Sequence, residues 1–267
     1  MEKQRFIPEG WESITKPITP FELNEAYQTG KIMNGLVTRC DSNYNLYVDL
    51  GQKMQGIIPR EEVEAINVDE TGFPKPNICA GKVNKIVQFK VKDIKKEDVA
   101  ILSRKAVGQE ALEWIKDDLQ EGMVMNGIVR NIRPYGVFIE IGGGIAGLLH
   151  IEDISVARIK SPEERFKIGQ KVNVMIKYID RSHDRVVLTY KELLGTWEDN
   201  IKEFSEGDVV EGIARETEKQ KNGIFVELKP NLVGLADYKE NISYGQKVHV
   251  GIRKIIPEKK NVKLVFM

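Results

Sequence analysis

The chain has 267 residues, of which 41% are hydrophobic and 30% charged, and its 40 basic and 40 acidic residues give a net charge of zero. This composition is that of a folded protein, and the absence of an apolar run of eighteen residues excludes a membrane-spanning helix. The first residues lack the apolar core of a secretory signal, and the two cysteines, Cys40 and Cys79, show no metal-ligand spacing. We therefore expect a cytoplasmic protein with no metal, no cofactor and no membrane contact.

Three segments of the chain resemble one another, which indicates an internal repeat. Each segment opens with a glycine, and the three glycines, Gly35, Gly127 and Gly212, lie about 85 to 92 residues apart. This is the spacing of whole domains rather than of a solenoid repeat. In each repeat a later glycine opens a run in which lysine and valine alternate. These later glycines are Gly81, Gly169 and Gly245.

Each repeat is predicted to form five short strands with glycine-rich turns, and therefore a small antiparallel barrel. Since side chains alternate across a strand, Val137, Ile139 and Ile141 are predicted to face inward, and Phe138 and Glu140 outward. The other residues predicted to face inward are Leu46, Val48, Leu50, Val172, Val174, Ile176, Ile224, Val226 and Leu228. Those predicted to face outward are Tyr47, Asp49, Lys171, Asn173, Lys177, Phe225 and Glu227.

The sequence thus predicts an all-β chain of three tandem five-stranded barrels joined by short helical linkers. Trp114 and Trp197 lie in acid-rich amphipathic stretches before the next barrel, and we expect each to pack its linker against a barrel. Ser161, followed by a proline and two acids, predicts a helix start that repeat three lacks. The predicted boundaries are 1–23 for an N-terminal extension, 24–105, 121–195 and 204–267 for the barrels, and 106–120 and 196–203 for the linkers.

Every repeat has an aromatic residue at the same outward position of one strand. These residues are Tyr47, Phe138 and Phe225. A ring on the outer face is not needed for the barrel core. One interpretation is that the rings pack against a neighbouring barrel or a linker helix. The other is that they are stacking platforms for unpaired bases.

The repeats resemble the S1 RNA-binding domain family. That family's pattern is a Gly-x-Val strand, an aromatic-Gly turn with a second aromatic two residues on, a Gly-Leu-Leu-His segment, a Gly-x-x-Val strand and an Asp…Arg ending. The middle repeat matches it at Gly127, Val129, Tyr135, Gly136, Phe138, Gly147, Leu148, Leu149, His150, Gly169, Val172, Asp180, Arg185 and Leu188. The resemblance implies OB-fold barrels that bind single-stranded RNA. The likeness to short bacterial relatives of ribosomal protein S1 implies messenger RNA and the small ribosomal subunit as partners of a monomer.

Carried over by position, the family's RNA face in the middle barrel is Tyr135, Phe138, His150 and Arg185. Tyr135 and Phe138 would stack bases, and His150 would stack or donate a hydrogen bond. Arg185 would pair with phosphate or lie flat on a base, with Asp180 orienting it. The alternatives are a structural role for His150 and a surface salt bridge for Arg185.

The resemblance also suggests RNA contacts outside this set. Lys171 and Lys177 are outward cations of the middle repeat, repeat one keeps Tyr44 and Tyr47, and repeat three keeps Phe225. Repeats one and three depart from the family pattern at Pro59, Val99, Asn222, Asp237 and Asn261. Near Phe225, the residues that could contact phosphate are Lys219, Lys221, Arg253 and Lys263. Such modified copies are expected to dock to a ribosome or another protein rather than to bind RNA as the middle barrel does.

The barrels are only mildly basic, with 13 basic and 11 acidic residues in 24–105, and 11 and 9 in both 121–195 and 204–267. We therefore expect affinity to come more from stacking than from charge. No catalytic constellation or phosphate loop is present, which argues against an enzyme. The alternative function is a protein-interaction or ribosome-docking scaffold with little direct RNA binding.

Overall fold

The computed structural model describes residues 4–12, 16–51, 54–66, 68–95, 99–216 and 223–267. Its strands form three closed five-stranded barrels in tandem, which confirms the predicted fold class. Within the described residues no helix is long and apolar enough to cross a membrane. By its internal contacts the chain divides into two compact units, and the division runs through the second barrel. One unit comprises Met1–Asn131, Phe138–Gly147 and Ile168–Val186, and the other comprises Ile132–Val137, Leu148–Lys167 and Val187–Met267.

The first barrel has the strand order β1-β2-β3-β5-β4, with β3 and β5 parallel and its other strand pairs antiparallel. Its strands are β1 (Met33–Cys40), β2 (Leu46–Gly51), β3 (Met54–Ile58), β4 (Ile86–Lys95) and β5 (Val99–Ser103). Helix α1 (Pro20–Thr29) precedes it, and α2 (Pro76–Ala80) lies between β3 and β4.

The second and third barrels have the same connectivity. The second consists of β6 (Val124–Arg133), β7 (Gly136–Gly142), β8 (Ile145–His150), β9 (Lys171–Asp180) and β10 (Arg185–Thr189). The third consists of β11 (Val209–Glu216), β12 (Gly223–Lys229), β13 (Leu232–Asp237), β14 (Lys247–Ile256) and β15 (Asn261–Phe266). Short 3₁₀ turns cover Arg60–Glu62, Ile151–Asp153, Pro162–Glu164, Lys191–Leu194 and Pro257–Lys259.

The predicted linker helices are present. Helix α3 (Lys105–Asp117) precedes the second barrel, and α4 (Trp197–Ile201) precedes the third. Trp197 packs against the core of the third barrel as expected, whereas Trp114 packs against Phe6, with ring centroids 5.6 Å apart. The helix start predicted at Ser161 is a single 3₁₀ turn, in which Ser161 and Glu164 form a capping box.

The repeated glycines are required by close packing between the first two strands of each barrel. A Cβ atom on Gly35, Gly127 or Gly212 would lie under 3.0 Å from an inward methyl group of the neighbouring strand. The methyl groups belong to Val48, Ile139 and Val226, which are equivalent positions of the three repeats. The glycine that recurs in each repeat of the sequence is therefore explained by one packing contact that occurs three times.

The predicted inward faces are confirmed, with Leu228 only partly buried against the core of the third barrel, but two outward carboxylates are not in solvent. Leu46, Val48, Val137, Ile139, Val172, Val174, Ile224 and Val226 are all buried. Glu140 and Glu227, which face outward from their barrels, are only 5% and 4% exposed. The alternation of a strand identifies the side that faces its own barrel, and other parts of the chain cover the outer side at these two positions.

Candidate nucleic-acid interface

The turn that carries Tyr135 lies against the end of β8. The backbone N–H of Ile151 donates to the Tyr135 carbonyl at 2.9 Å. A Cβ atom on Gly136 would lie 2.5 Å from the Leu149 carbonyl oxygen and 3.1 Å from the His150 Cα, so only glycine permits this approach. The Tyr135 side chain is 50% exposed. The fold therefore brings the first predicted aromatic residue beside His150.

His150 ends β8 and also caps the 3₁₀ turn that follows. Its Nδ1 accepts a hydrogen bond from the Glu152 N–H at 3.4 Å. Accepting at Nδ1 leaves the proton of the neutral ring on Nε2. The side chain is 42% exposed. The ring thus combines a structural cap with an accessible surface, so the two interpretations of His150 are compatible.

Phe138 and Arg185 lie on the two strands that flank β8. The second barrel has the order β10-β8-β7-β6-β9, with Phe138 on β7 and Arg185 at the start of β10. Phe138 is half-buried between the fully buried Val137 and Ile139. Arg185 is exposed and forms no ion pair with any residue that the structure describes. An exposed guanidinium without a carboxylate partner is free to bind an anion.

Asp180 does not orient Arg185, so that expectation was wrong. Its Oδ1 accepts from the Ser182 hydroxyl at 2.5 Å, and its Oδ2 lies 2.9 Å from His183 Nδ1. These hydrogen bonds, first that of Ser182, hold the pKa of the Asp180 carboxyl below its ordinary value. Partners two and three residues away compete effectively with a partner on the next strand. Asp180 therefore holds the β9–β10 turn.

The two lysines predicted to contact RNA have different surroundings. Lys171 Nζ donates to the Trp11 carbonyl at 2.5 Å and lies 5.6 Å from the centroid of the Trp11 ring. Lys177 is exposed on β9. The N-terminal segment thus engages Lys171, whereas Lys177 stays a predicted RNA contact.

Arginines cover both predicted tyrosines of the first barrel. Arg39 lies opposite Tyr47 on β1, and its guanidinium carbon is 3.8 Å from the ring centroid. Arg60 lies 5.0 Å from the Tyr44 ring and 5.2 Å from the Phe73 ring. A guanidinium stacked on a ring occupies a face that a base would use. Tyr44 and Tyr47 therefore present less free aromatic surface than their positions in the sequence suggest.

Comparison with protein families confirms the resemblance. A family model described as the S1 RNA binding domain matches residues 26–105 and 118–191, which together are more than half of the chain. The chain belongs to the S1 RNA-binding domain family.

Relatives of this S1 protein include small ribosomal subunit proteins. The small ribosomal subunit protein bS1 of Staphylococcus aureus (strain COL) is 34% identical over 259 residues, which cover 91% of this chain and 63% of the relative. The bS1 protein of Staphylococcus epidermidis is 30% identical over 280 residues, which cover 98% of this chain and 66% of the relative. The S1 chain thus spans slightly less than two thirds of these relatives.

Similar solved structures include two bacterial proteins. A multidomain protein with nucleic acid binding domains from Streptococcus pneumoniae is 14% identical, with a TM-score of 0.26, over 89% of this chain and 73% of its own. GSP13 from Bacillus subtilis is 24% identical, with a TM-score of 0.28, over 28% of this chain and 58% of its own.

The third barrel lies outside the residues that match the S1 model, and an exposed row crosses its strands. Phe225 pairs with Leu235, Leu235 with Lys263, and Lys263 with Lys254. All four side chains are exposed, and neither lysine forms an ion pair within the described part of the chain. Aromatic, aliphatic and cationic side chains in one row suit base stacking with phosphate contact.

Sequence reasoning missed Lys254 because of a β-bulge. The register between β14 and β15 shifts between Ile252 and Lys254, which brings Lys254 rather than Arg253 opposite Lys263. The sequence analysis named Arg253 and not Lys254 among the possible phosphate contacts, and strand alternation read from the sequence cannot reveal such an insertion. Lys219, Lys221 and Asn222 lie outside the described residues.

A buried ion cluster joins the N-terminal strap, residues 4–12, to the first S1 barrel. Glu9 accepts from Lys82 Nζ at 2.8 Å and forms an ion pair with Arg104. Glu64 pairs with the same two cations, at 2.5 Å from Lys82 and 3.1 Å from Arg104. All four side chains are buried. Their partners are distant in sequence, so no local pattern reveals the cluster.

The strap also covers an ion pair on the second S1 barrel. Arg130 Nε donates to Glu140 at 2.6 Å, and the Arg130 guanidinium also donates to the Glu9 carbonyl at 3.1 Å. The Glu9 N–H donates to the Glu140 carboxylate at 3.2 Å. Burial and the neighbouring Glu9 charge raise the pKa of the Glu140 carboxyl. These contacts explain why an outward glutamate of β7 is not in solvent.

The third barrel has an equivalent pair. Arg215 lies three residues after Gly212, as Arg130 does after Gly127, and its Nε donates to Glu227 at 2.5 Å. Arg165 and Glu164, which precede β9, also pair with Glu227 and Arg215 respectively. The outer faces of two barrels therefore use the same arginine–glutamate pair, each with a further carboxylate from an earlier part of the chain.

Proposed function

We propose that this protein binds single-stranded RNA, chiefly through Tyr135, Phe138, His150 and Arg185 of the second barrel. The observation that carries the proposal is the close approach of the Tyr135–Gly136 turn to His150, because it joins an exposed aromatic and an exposed imidazole. The neighbouring strands supply Phe138 and an exposed Arg185. Proteins commonly bind single-stranded RNA by stacking unpaired bases on aromatic rings while nearby cations contact the phosphates.

The binding is expected to be modest and tolerant of sequence. Stacking contributes about 1–3 kcal/mol per base, and stacking does not distinguish bases strongly. The net charge of zero leaves few phosphates to be neutralised, so the salt dependence of affinity should be shallow.

We propose further that the RNA is messenger RNA and that the chain, as a monomer, acts near the small ribosomal subunit. The bS1 relatives, which are named as small ribosomal subunit proteins, support this partner. The alternative function, a protein-interaction or ribosome-docking scaffold, is favoured for the first barrel alone. There Arg39 and Arg60 lie over the rings of Tyr47 and Tyr44, which leaves less aromatic surface for bases.

Removing the aromatic and imidazole groups of the second barrel should weaken RNA binding. For the double variant Phe138→Ala/His150→Ala we expect a loss of affinity of about tenfold or more, since at least one stacked base loses its platform. Fluorescence anisotropy with a labelled single-stranded RNA measures it. A matched control is Phe21→Ala/His249→Ala, which removes an exposed aromatic on α1 and an exposed histidine on β14. Equal affinities of wild type and the first variant would refute the site.

The third barrel should contribute to the salt dependence. Lys254→Gln/Lys263→Gln is expected to reduce the slope of log affinity against log salt by about 1 to 2, because each lysine neutralises up to one phosphate. Anisotropy titrations with an RNA long enough to reach more than one barrel, at several salt concentrations, test this. Lys16→Gln/Lys95→Gln, which removes two other exposed lysines, is the control. An unchanged slope would show that the row on the third barrel does not contact RNA.

A further inference from the structure

A cleft of about 440 Å³ lies beside the buried ion cluster. Asn77 of α2 and, from the connection between α2 and β4, Lys82 and Lys85 line one side of it, and the second barrel contributes Arg130 and Gly144. The volume is in the range of small-ligand sites. Among the described residues that line it, Ile78 is the only large apolar one and seven are polar or charged, so the cleft suits a polar ligand.

Cations outnumber carboxylates when the cleft and the ion cluster beside it are counted together. The lining holds three of each, Lys82, Lys85 and Arg130 with Glu9, Glu64 and Glu140, and the cluster adds Arg104, which pairs with Glu9 and Glu64 but does not line the cleft. Glu9 and Glu64 pair with Lys82 and Arg104, and Glu140 pairs with Arg130. Each carboxylate is therefore neutralised by the cluster itself, and one positive charge remains.

The remaining charge is that of Lys85. The side chain is half-buried, and its stem lies against the strap, with Cγ 3.8 Å from the position of a Cβ atom on Gly10. The Lys85 ammonium forms no hydrogen bond and no ion pair with the part of the chain that the structure describes, although the Lys85 backbone is hydrogen-bonded to Val37 and Lys82. Burial, and then the nearby Arg130 charge, lower the pKa of its ammonium. The Glu9 and Glu140 charges act in the opposite direction but form no ion pair with Lys85. A partly desolvated cation without a direct partner is unfavourable, and an anion in the cleft would compensate it.

We propose that this cleft binds a phosphate group, held by Lys85 and Arg130 with the Asn77 side chain as a further donor. A phosphate offers several acceptor oxygens, which matches an ammonium, a guanidinium and an amide that line one cleft. The site is separate from the RNA face of the second barrel, since none of Tyr135, Phe138, His150 or Arg185 lines the cleft. The phosphate belongs either to an RNA strand or to a small phosphorylated compound.

The first experiment uses inorganic phosphate as the probe. Thermal unfolding of the full chain is measured against phosphate concentration, with chloride keeping the ionic strength constant. Wild type should show a saturable rise in Tm, and Lys85→Met should show binding that is weaker by about tenfold or more, because one charge-assisted hydrogen bond is lost. Since the surroundings disfavour the Lys85 charge, the variant should fold at least as stably as wild type. Lys95→Met, at an exposed lysine of β4, should behave like wild type.

The proposal fails if wild type shows no saturable effect of phosphate, or if Lys85→Met responds as wild type does. A second measurement separates the two sources of phosphate. A lower affinity of Lys85→Met for labelled single-stranded RNA assigns the site to a phosphate of the strand, whereas unchanged RNA affinity with lost phosphate binding assigns it to a free compound. Failure of the RNA face would appear instead in the Phe138→Ala/His150→Ala variant.

Discussion

Replacing Glu9 by alanine is expected to lower the free energy of unfolding by about 3 kcal/mol, although Glu9 lies in an N-terminal strap outside all three barrels. Its buried carboxylate pairs with Lys82 at 2.8 Å and with Arg104, and it lies 3.6 Å from Arg130. Removal of one partner leaves buried cations with fewer counter-charges, which is costly in a region of low dielectric. Glu140 offsets part of this loss, because the charge of Glu9 no longer opposes its ionisation.

Urea unfolding followed by circular dichroism measures this change. The control is Glu25→Ala, which removes an exposed glutamate of α1 and should change stability by about 0.5 kcal/mol or less. A change of similar size for both variants would mean that the strap contributes little to the stability of the folded chain.

The stabilisation by Glu9 should disappear in acid. Burial alone would raise the pKa of this carboxyl, but Arg104 and Lys82 outweigh burial and hold the pKa well below its ordinary range. A carboxyl with a lower pKa in the folded chain stabilises it fully above the ordinary value of about 4.3, and this contribution is lost as the pH falls toward the folded value. The difference in unfolding free energy between wild type and Glu9→Ala should therefore be largest at neutral pH and shrink below about pH 4.

The barrels could be predicted because their signals are local. The glycine at Gly127 and the alternation through Val137 and Ile139 report contacts within one hairpin, and those contacts recur in each repeat. Glu140 shows where this reasoning stops. The same alternation places it outward, but Glu9, which covers it, lies 131 residues earlier in the chain. The sequence of one repeat does not predict which distant residues pack on the outer face of its barrel.

The outward aromatics, such as Phe138, were predicted from strand alternation and the repeat, whereas Tyr135, His150 and Arg185 were predicted from the family pattern. The turn with Tyr135 lies beside His150 as that pattern implies. Asp180 instead bonds to its own turn, and Arg39 occupies a face of Tyr47. Both differences arise from neighbours that a motif does not specify, a hydroxyl two residues away and an arginine on the adjacent strand.

Replacing Arg215 by alanine should lower the free energy of unfolding by about 3–5 kcal/mol. Arg215 and Glu227 are both buried, with their charged atoms 2.5 Å apart, and Glu164 forms a further ion pair with the guanidinium. The variant leaves Glu227 with Arg165 as its remaining cation partner within the described residues. The loss of hydrogen bonds and charge in a buried position makes the effect much larger than that of an exposed arginine.

A control and a rescue variant distinguish lost charge balance from a general packing defect. Arg253→Ala, at an exposed arginine of the same barrel, should change stability by about 0.5 kcal/mol or less in the same urea unfolding experiment. The double variant Arg215→Met/Glu227→Met removes both charges and keeps comparable volume. Glu164 and Arg165 each lose one partner, but they are less buried than the pair and opposite in charge. The variant should therefore recover most of the loss, because a buried ion pair replaced by apolar groups costs little. If the double variant is as unstable as Arg215→Ala, the two side chains contribute to stability through their packing and hydrogen bonds rather than through charge balance. Recovery would indicate that Arg215 and Glu227 stabilise the barrel mainly by neutralising each other. We then expect the same of Arg130 and Glu140, the equivalent pair of the second barrel, which Glu9 of the strap contacts.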